Sequence, residues 1–195
     1  MITSIDQLDF SKKYSYADYL TWKFTERLEL IKGKIFKMSP APNVLHQQVS
    51  MQLTKLVLKA MSGMPCKLFS APFDVRLYDS KKSKNNEDVY TVVQPDLCVI
   101  CDPNKLDEHG AIAAPELVIE ILSPGNSKKE MKFKYDLYEE AGVLEYWIVD
   151  PSHKTVLVFL LENGKFVGQH PLIDEDKMVS KLFPELDFLV GDVFE

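Results

Sequence analysis

The stretch 116–150 constrains the fold of this chain more than any other part, because its side-chain pattern changes twice. An apolar run at 116–122 is typical of a buried strand. Residues 128–141 place apolar side chains at helical spacing, and Gly142 then follows as a typical residue just beyond a helix. A second strand pattern covers 145–150. The stretch therefore predicts strands of a sheet with a helix between them in the chain.

The rest of the chain adds a second long helix and more strands. Asn43 fits the N-cap of a helix over Val44–Ala60, in which apolar residues recur at helical spacing. Other predicted features are a capping box at Ser15 and Asp18, a hairpin at 28–36 turning at Lys32-Gly33, strands at 67–78, 89–101, 155–161 and 166–169, and a turn at Asn163-Gly164. The sum is α/β or α+β: a mixed sheet with one helix before its central strands and one after them. We expect a single domain over 1–195, with 1–15 as an N-terminal extension.

Composition and charge exclude several classes of protein. The chain is 46% hydrophobic and 27% charged, which is close to globular averages, so disorder is not expected. No apolar run approaches the ~20 residues of a membrane span, and the acidic N-terminus does not resemble a signal peptide. We therefore expect a soluble cytoplasmic protein. A net charge of −6 argues against a protein that coats nucleic acid, although an enzyme with a local basic rim remains compatible.

The three cysteines do not predict a metal or redox site. An odd, sparse set is typical of a reducing compartment. Cys98 and Cys101 have the C-x-x-C spacing of zinc and redox motifs, but they lie in a predicted strand. Residues three apart on a strand point to opposite faces, so the two thiols should diverge.

Two acidic residues, Asp96 and Glu120, lie inside apolar strand patterns. An ionised carboxylate is costly to bury, so each must be neutralised, pair with a cation or bind a metal. For a single acid, a position at a strand end beside solvent is the favoured explanation. Lys134 makes a shared site for the two acids more plausible than two separate strand-end positions. On the following helix, Lys134 falls in the middle of an apolar arc that includes Phe133, Leu137 and Tyr138. We therefore predict that the Lys134 side chain points inward; a side chain that reaches solvent at an edge is the alternative.

Several motifs together resemble one protein family. They are Gln94-Pro-Asp96, Pro115-Glu-Leu-Val-Ile-Glu120-Ile-Leu-Ser-Pro124, the run 134–151 with Gly142 and Glu145-Tyr-Trp147, and, upstream, Leu28-Glu29-Leu-Ile-Lys-Gly33 and 38–46. The chain resembles the Uma family of restriction-endonuclease-like proteins, a branch of the PD-(D/E)XK nuclease superfamily. The resemblance covers most of the chain from about Tyr16, and it is specific only as a combination.

The resemblance implies a restriction-endonuclease-like core, a central mixed β-sheet flanked by helices. Asp96 and Glu120 would be the metal ligands, for Mg²⁺ or for Mn²⁺ as its substitute. The standard motif places its lysine two residues after the second acid, where this chain has Leu122. The family pattern places the lysine on the next helix, as Lys134. Glu29 is a further candidate catalytic residue, with an ordinary hairpin acid as the alternative.

The function implied is metal-dependent hydrolysis of phosphodiester bonds in DNA, with RNA a less favoured substrate and a homodimer expected. The alternative is a catalytically weak nucleic-acid-binding or interaction module that retains the fold. A sugar or nucleotide hydrolase with paired acids fits less well, because it leaves Lys134 without a role. The polar loop 79–88 is expected to be mobile. Its Lys81, Lys82 and Lys84 are more typical of a solvated surface loop, and an approach to nucleic acid is the alternative. His46, near a helix start, is more typical of a surface or capping residue, with a role in the site as the alternative.

Overall fold

The computed structural model describes residues 2–38, 43–78, 85–123 and 128–195, with residues 128–130 described by their backbone alone. Within these ranges the helices are α1 (Tyr16–Leu20), α2 (Val44–Ala60) and α3 (Lys128–Ala141), with short 3-10 turns at Ile5–Gln7, Pro103–Lys105 and Val190–Val193. The strands are β1 (Leu28–Ile31), β2 (Lys34–Lys37), β3 (Lys67–Ser70), β4 (Val75–Arg76), β5 (Val92–Val93), β6 (Leu97–Ile100), β7 (Leu106–Asp107), β8 (Gly110–Ala111), β9 (Leu117–Ile121), β10 (Glu145–Asp150), β11 (Thr155–Glu162), β12 (Lys165–Gly168), β13 (Lys177–Val179) and β14 (Asp187–Leu189). The predicted mixture of helices and mixed sheets is confirmed.

The chain forms two compact units. The first comprises Met1–Pro40, Phe73–Gln94 and Lys105–Ala114, and the second comprises Ala41–Pro72, Pro95–Asn104 and Pro115–Glu195. The expectation of one domain over 1–195, with an extension at 1–15, stays a prediction. Of the polar loop 79–88, the part 79–84, which holds the three lysines, lies outside the described residues.

The first unit contains a six-stranded mixed sheet in the order β2-β1-β5-β4-β8-β7. The predicted hairpin is present as β1 and β2, and Lys32 and Gly33 take the positive φ angles of 52° and 82° that its turn requires. The predicted capping box at Ser15 also forms, and it opens α1. This sheet was not anticipated as a separate element, because its other strands are only two residues long.

The second unit contains a six-stranded mixed sheet in the order β12-β11-β10-β9-β6-β3. The faces of β9 alternate: Leu117, Ile119 and Ile121 join a core that includes Val49 and Leu53 of α2. Glu120 belongs to the opposite face, where α3 contacts it. The two long helices therefore cover opposite faces of one sheet, and both have the bounds that the sequence predicts.

Two predicted strands are interrupted. The run 67–78 contains β3 and β4, which are separated by the cis peptide bond Ala71-Pro72. The run 89–101 contains β5 and β6, which are separated by Gln94-Pro95-Asp96. Proline has no backbone N–H to donate to a sheet, so continuous strands through these positions were wrong.

The cysteines take places that the sequence did not indicate. Cys66 and Cys101 form a disulfide, and both lie against the core that α2 covers. Cys98 is a buried free thiol, and burial raises its pKa to about 12. Cys98 is therefore not a reactive thiolate, and the C-x-x-C pair does not act as a unit.

Candidate active site

Asp96 and Glu120 lie at the same end of neighbouring antiparallel strands. Leu97 at the start of β6 pairs with Ile119 of β9. Asp96 precedes Leu97 and Glu120 follows Ile119, so the two acids are adjacent at this end of the antiparallel pair. The backbone N–H of Ile121 donates to Asp96 Oδ2 at 2.8 Å. This hydrogen bond ties the Asp96 carboxylate directly to the strand that carries Glu120.

Glu120 is contacted by two side chains of α3. Lys134 Nζ lies 3.0 Å from Glu120 Oε1, and the Tyr138 hydroxyl donates to the same oxygen at 2.6 Å. Both side chains come from one face of α3, because they are four residues apart. Lys134 is only 8% exposed and Glu120 9%, so this is a buried ion pair. Lys134 thus has the inward orientation that the helical arc predicts.

His46 approaches Asp96 from the start of α2. The Asn43 side chain accepts the His46 backbone N–H at 2.9 Å and so caps the helix at this residue. His46 Nε2 lies 3.4 Å from Asp96 Oδ1. Burial lowers the pKa of His46, but the Asp96 carboxylate, the Ile121 backbone and the charge of Glu120 outweigh it, so the pKa is raised above its ordinary value.

Glu29, the fourth candidate, belongs to the first unit. It lies in β1, is buried, and its Oε1 accepts the backbone N–H of Gln94 at 2.9 Å. This contact gives Glu29 a structural role in holding β1 to the segment after β5. Its catalytic role stays a prediction, as do the roles of Asp96, Glu120 and Lys134.

Sequence reasoning missed two residues of this cluster. Tyr138 was assigned to the apolar arc of α3, yet its hydroxyl binds Glu120. The available signal was its spacing of four residues from Lys134. His46 was expected to be a surface or capping residue, but its ring is buried. Only the pairing of α2 with the end of β6 could have located it, and that is a tertiary contact.

Comparison with known proteins identifies the family. The family model named Uma2, described as "Putative restriction endonuclease", matches residues 16–191. The chain belongs to the Uma2 family. The resemblance inferred from its motifs is therefore confirmed over nearly the whole chain.

One solved structure and one protein sequence are similar to this Uma2 protein. A crystal structure described as "a putative nuclease belonging to DUF820" from Anabaena variabilis superposes with a TM-score of 0.70 at 20% identity, covering 93% of this chain and 97% of that chain. At that identity the likeness shows a common fold. An uncharacterised protein of Synechocystis sp. is 26% identical over 142 residues, which is 72% of this chain and 70% of the relative.

Proposed function

We propose that this Uma2 protein is a Mg²⁺-dependent endonuclease that hydrolyses phosphodiester bonds of DNA. The observation that carries the proposal is the buried contact of Lys134 with Glu120 at 3.0 Å, beside Asp96. A lysine held inward against a strand acid is the group that a binding module would not need. Family membership and the shared fold support the same function.

The donor set fits a hard divalent cation. Mg²⁺ is commonly held by one or two carboxylates, with water and substrate phosphate completing its octahedron. Asp96 and Glu120 supply two such carboxylates from adjacent strands. In the described stretches, no three His, Cys, Asp or Glu side chains are grouped so as to form a metal cage by themselves. A site that is completed by water and phosphate is therefore the kind that these residues suit. Mn²⁺ should substitute.

Each side chain of the candidate site would have its own role in the reaction. Asp96 and Glu120 would hold the cation, which supplies Lewis-acid polarisation of the scissile phosphate when bound. Lys134, whose ammonium is fixed by Glu120, would orient the attacking water and offset negative charge that develops on the phosphate. Tyr138 would hold Glu120 through its hydroxyl, so that the carboxylate keeps one orientation.

The decisive experiment is cleavage of supercoiled, linear and single-stranded DNA with Mg²⁺, with Mn²⁺ and with a chelator. We expect cleavage that requires the metal and is lost in Asp96→Ala, while Asp102→Ala, an exposed acid in the same unit, retains it. Cleavage that survives the chelator or Asp96→Ala would contradict the proposal. DNA binding without cleavage under all these conditions would favour the non-catalytic module instead. RNA cleavage in preference to DNA would correct the substrate.

We also propose that the protein is a homodimer, since two copies would allow both DNA strands to be cut. The solvent face of α2 supports this, because it carries the exposed apolar residues Val44, Met51 and Leu58 at intervals of seven. Seven residues are close to two helical turns, so the three side chains form one stripe. A second copy of the same helix is a partner of matching shape.

The proposed location is the cytoplasm. In the described parts of the chain, no helix is both long enough and apolar enough to cross a membrane. Because thiols are kept reduced in the cytoplasm, Cys66 and Cys101 would be thiols there. β3 and β6 would then stay paired through the backbone hydrogen bonds of their four-residue register.

A further inference from the structure

His46 is buried in a way that an ordinary capping or surface histidine is not. His46 is the third residue of α2 and is 6% exposed. One ring nitrogen, Nε2, faces Asp96 Oδ1 at 3.4 Å. The other, Nδ1, is buried and has no hydrogen-bond partner among the described residues. Among the described residues, the contact of the ring with the Asp96 carboxylate is therefore made through Nε2.

The Nδ1 of His46, unpaired within the described part of the chain, lowers the stability of the fold, so the presence of a histidine at this position calls for an explanation. Leaving a buried polar atom unpaired costs about 1–3 kcal/mol, so an apolar side chain would fill the same space more cheaply. Buried polar atoms without a hydrogen-bond partner are few in native proteins, and each calls for an explanation. The contact that offsets the cost is with Asp96, a proposed metal ligand.

The hydrogen bonds around Asp96 indicate which part of its side chain His46 holds. Its Oδ2 accepts the Ile121 N–H at 2.8 Å, and its backbone carbonyl accepts the Ala71 N–H at 3.1 Å. The backbone and one carboxylate oxygen are thus fixed by the sheet. The remaining oxygen, Oδ1, is the one that His46 approaches, from a helix start that Asn43 caps.

We propose that His46 is a positioning residue for Asp96: its Nε2–H donates to Oδ1 and, together with the Ile121 N–H, holds the carboxylate in one rotamer. The inference rests on the proposed function, in which Asp96 binds a divalent cation. Carboxylates that ligate metals are commonly held by hydrogen bonds of this kind, and loss of such a partner costs roughly 10–100-fold in metal affinity. His46 itself does not contact the cation in this scheme.

Substitution of His46 by glutamine or by asparagine distinguishes the roles of the two ring nitrogens. The amide nitrogen of Gln reaches about as far as histidine Nε2, whereas that of Asn corresponds to Nδ1. The proposal therefore expects His46→Gln to restore the contact with Asp96 and His46→Asn to fail. His46→Leu removes both nitrogens but keeps an apolar filling, so its folding should be maintained.

The test measures Mn²⁺ binding to the full chain by titration calorimetry and electron paramagnetic resonance, with thermal unfolding alongside. We expect His46→Leu and His46→Asn to weaken binding roughly 10–100-fold. His46→Gln should stay within a few-fold of the parent chain, and His153→Leu, at an exposed histidine, should be unchanged. In cleavage assays the same variants should lower kcat more than they raise KM for DNA. Unchanged Mn²⁺ affinity in folded His46→Leu would overturn the proposal.

A second measurement, made without metal, separates this inference from the proposed function. Nitrogen-15 histidine spectra should show a slowly exchanging proton on His46 Nε2 that is lost in Asp96→Ala. If the proton is present but the chain neither binds Mn²⁺ nor cleaves DNA, the nuclease proposal fails and the His46–Asp96 contact stands. If the proton is absent or survives in Asp96→Ala, the positioning role is wrong whatever the chain catalyses.

Discussion

At the scale of single residues, Glu120 is the residue of the candidate site at which two side chains of α3 meet. One of its oxygens receives both the Lys134 ammonium and the Tyr138 hydroxyl. A buried ion pair gains little net stability over apolar residues of similar volume, because both charges lose their hydration. The pair is therefore poorly explained as a device for stability. It is better explained by a need for an ammonium and a carboxylate at one place.

Replacing Lys134 tests this explanation. Lys134→Met keeps the aliphatic stem, and Glu120 keeps its hydrogen bond from Tyr138, so the chain should fold with some loss of stability. We expect the cleavage rate to fall roughly 10²–10³-fold, as when one preorganised donor is removed from an active site. Mn²⁺ affinity should not fall, because both carboxylates remain.

The matched control for that change is Lys132→Met, which removes an exposed ammonium from the same helix. It should leave cleavage unchanged. Supercoiled-DNA nicking rates, Mn²⁺ calorimetry and urea unfolding give the three quantities for both variants. Undiminished metal-dependent cleavage by Lys134→Met would remove Lys134 from the mechanism.

At the scale of elements, the helices could be predicted and several strands could not. A local signal fixes one end of each long helix: Asn43 caps the start of α2, and Gly142, with a φ of 84°, follows the end of α3. The strands around Pro72 and Pro95 are broken where proline cannot donate to the sheet, a signal in the sequence that the apolar pattern alone does not carry. The two-residue strands of the first sheet carry no periodic signal at all.

The candidate site shows the same limit. An acid inside an apolar strand identified Asp96 and Glu120, but Glu145 at the start of β10 has that pattern too. Its side chain is fully buried and faces away from Glu120, among donors from Trp147 and Ser180. The pattern therefore finds buried acids, and only their tertiary partners separate a structural one from a functional one. For Glu120 that partner is Lys134, and the functional role of Glu120 stays a prediction.

Glu145 gives a prediction at this scale, because it joins β10 to the segment after β13. Its Oε1 accepts Trp147 Nε1–H at 2.7 Å, and its Oε2 accepts the Ser180 hydroxyl at 3.0 Å and two backbone N–H groups at 3.1 Å. Glu145→Gln places an amide NH₂ against one set of donors. We expect the free energy of unfolding to fall by about 1.5–3 kcal/mol, the worth of one hydrogen bond to a charged group.

Urea unfolding followed by circular dichroism measures this loss. Glu162→Gln, at an exposed acid on β11, is the matched control and should change stability by less than about 0.5 kcal/mol. Folded Glu145→Gln should still bind Mn²⁺ as the parent chain does, because Glu145 lies on the other face of the sheet from Glu120. A loss of metal binding without a loss of stability would assign Glu145 to the site.

At the scale of the whole molecule, the proposed function requires an acidic protein to present two active sites to one DNA duplex. The net charge of −6 means that binding cannot depend on the average charge of the surface. Two linked copies would each need only a weak contact, since the second contact becomes intramolecular once the first has formed. A dimer is therefore a physical solution for this chain as well as an expectation from its family.

The solvent face of α2 shows how such a dimer could form. Val44, Gln48, Met51, Lys55 and Leu58 follow the alternating four- and three-residue spacing of a coiled-coil seam. In an antiparallel pair centred on Met51, Val44 of one copy would lie opposite Leu58 of the other. Gln48 would lie within one residue of Lys55 of the other copy, whose ammonium can donate to the amide oxygen. The stripe is thus complementary to itself, as a two-fold interface must be.

Met51 lies at the centre of this stripe and is 66% exposed, so its replacement should act on association and leave the fold intact. Met51→Glu places two carboxylates against each other across the two-fold axis, where like charges repel and lose hydration. We expect the parent chain to sediment as a dimer at micromolar concentrations and Met51→Glu as a monomer with unchanged thermal unfolding. Ile173→Glu, at an exposed apolar residue outside α2, should remain dimeric. The monomeric variant should still nick one strand while double-strand cleavage falls, because the candidate residues Asp96, Glu120 and Lys134 all belong to the same copy. A parent chain that sediments as a monomer, or a Met51→Glu variant that stays dimeric, would show that α2 does not form the interface.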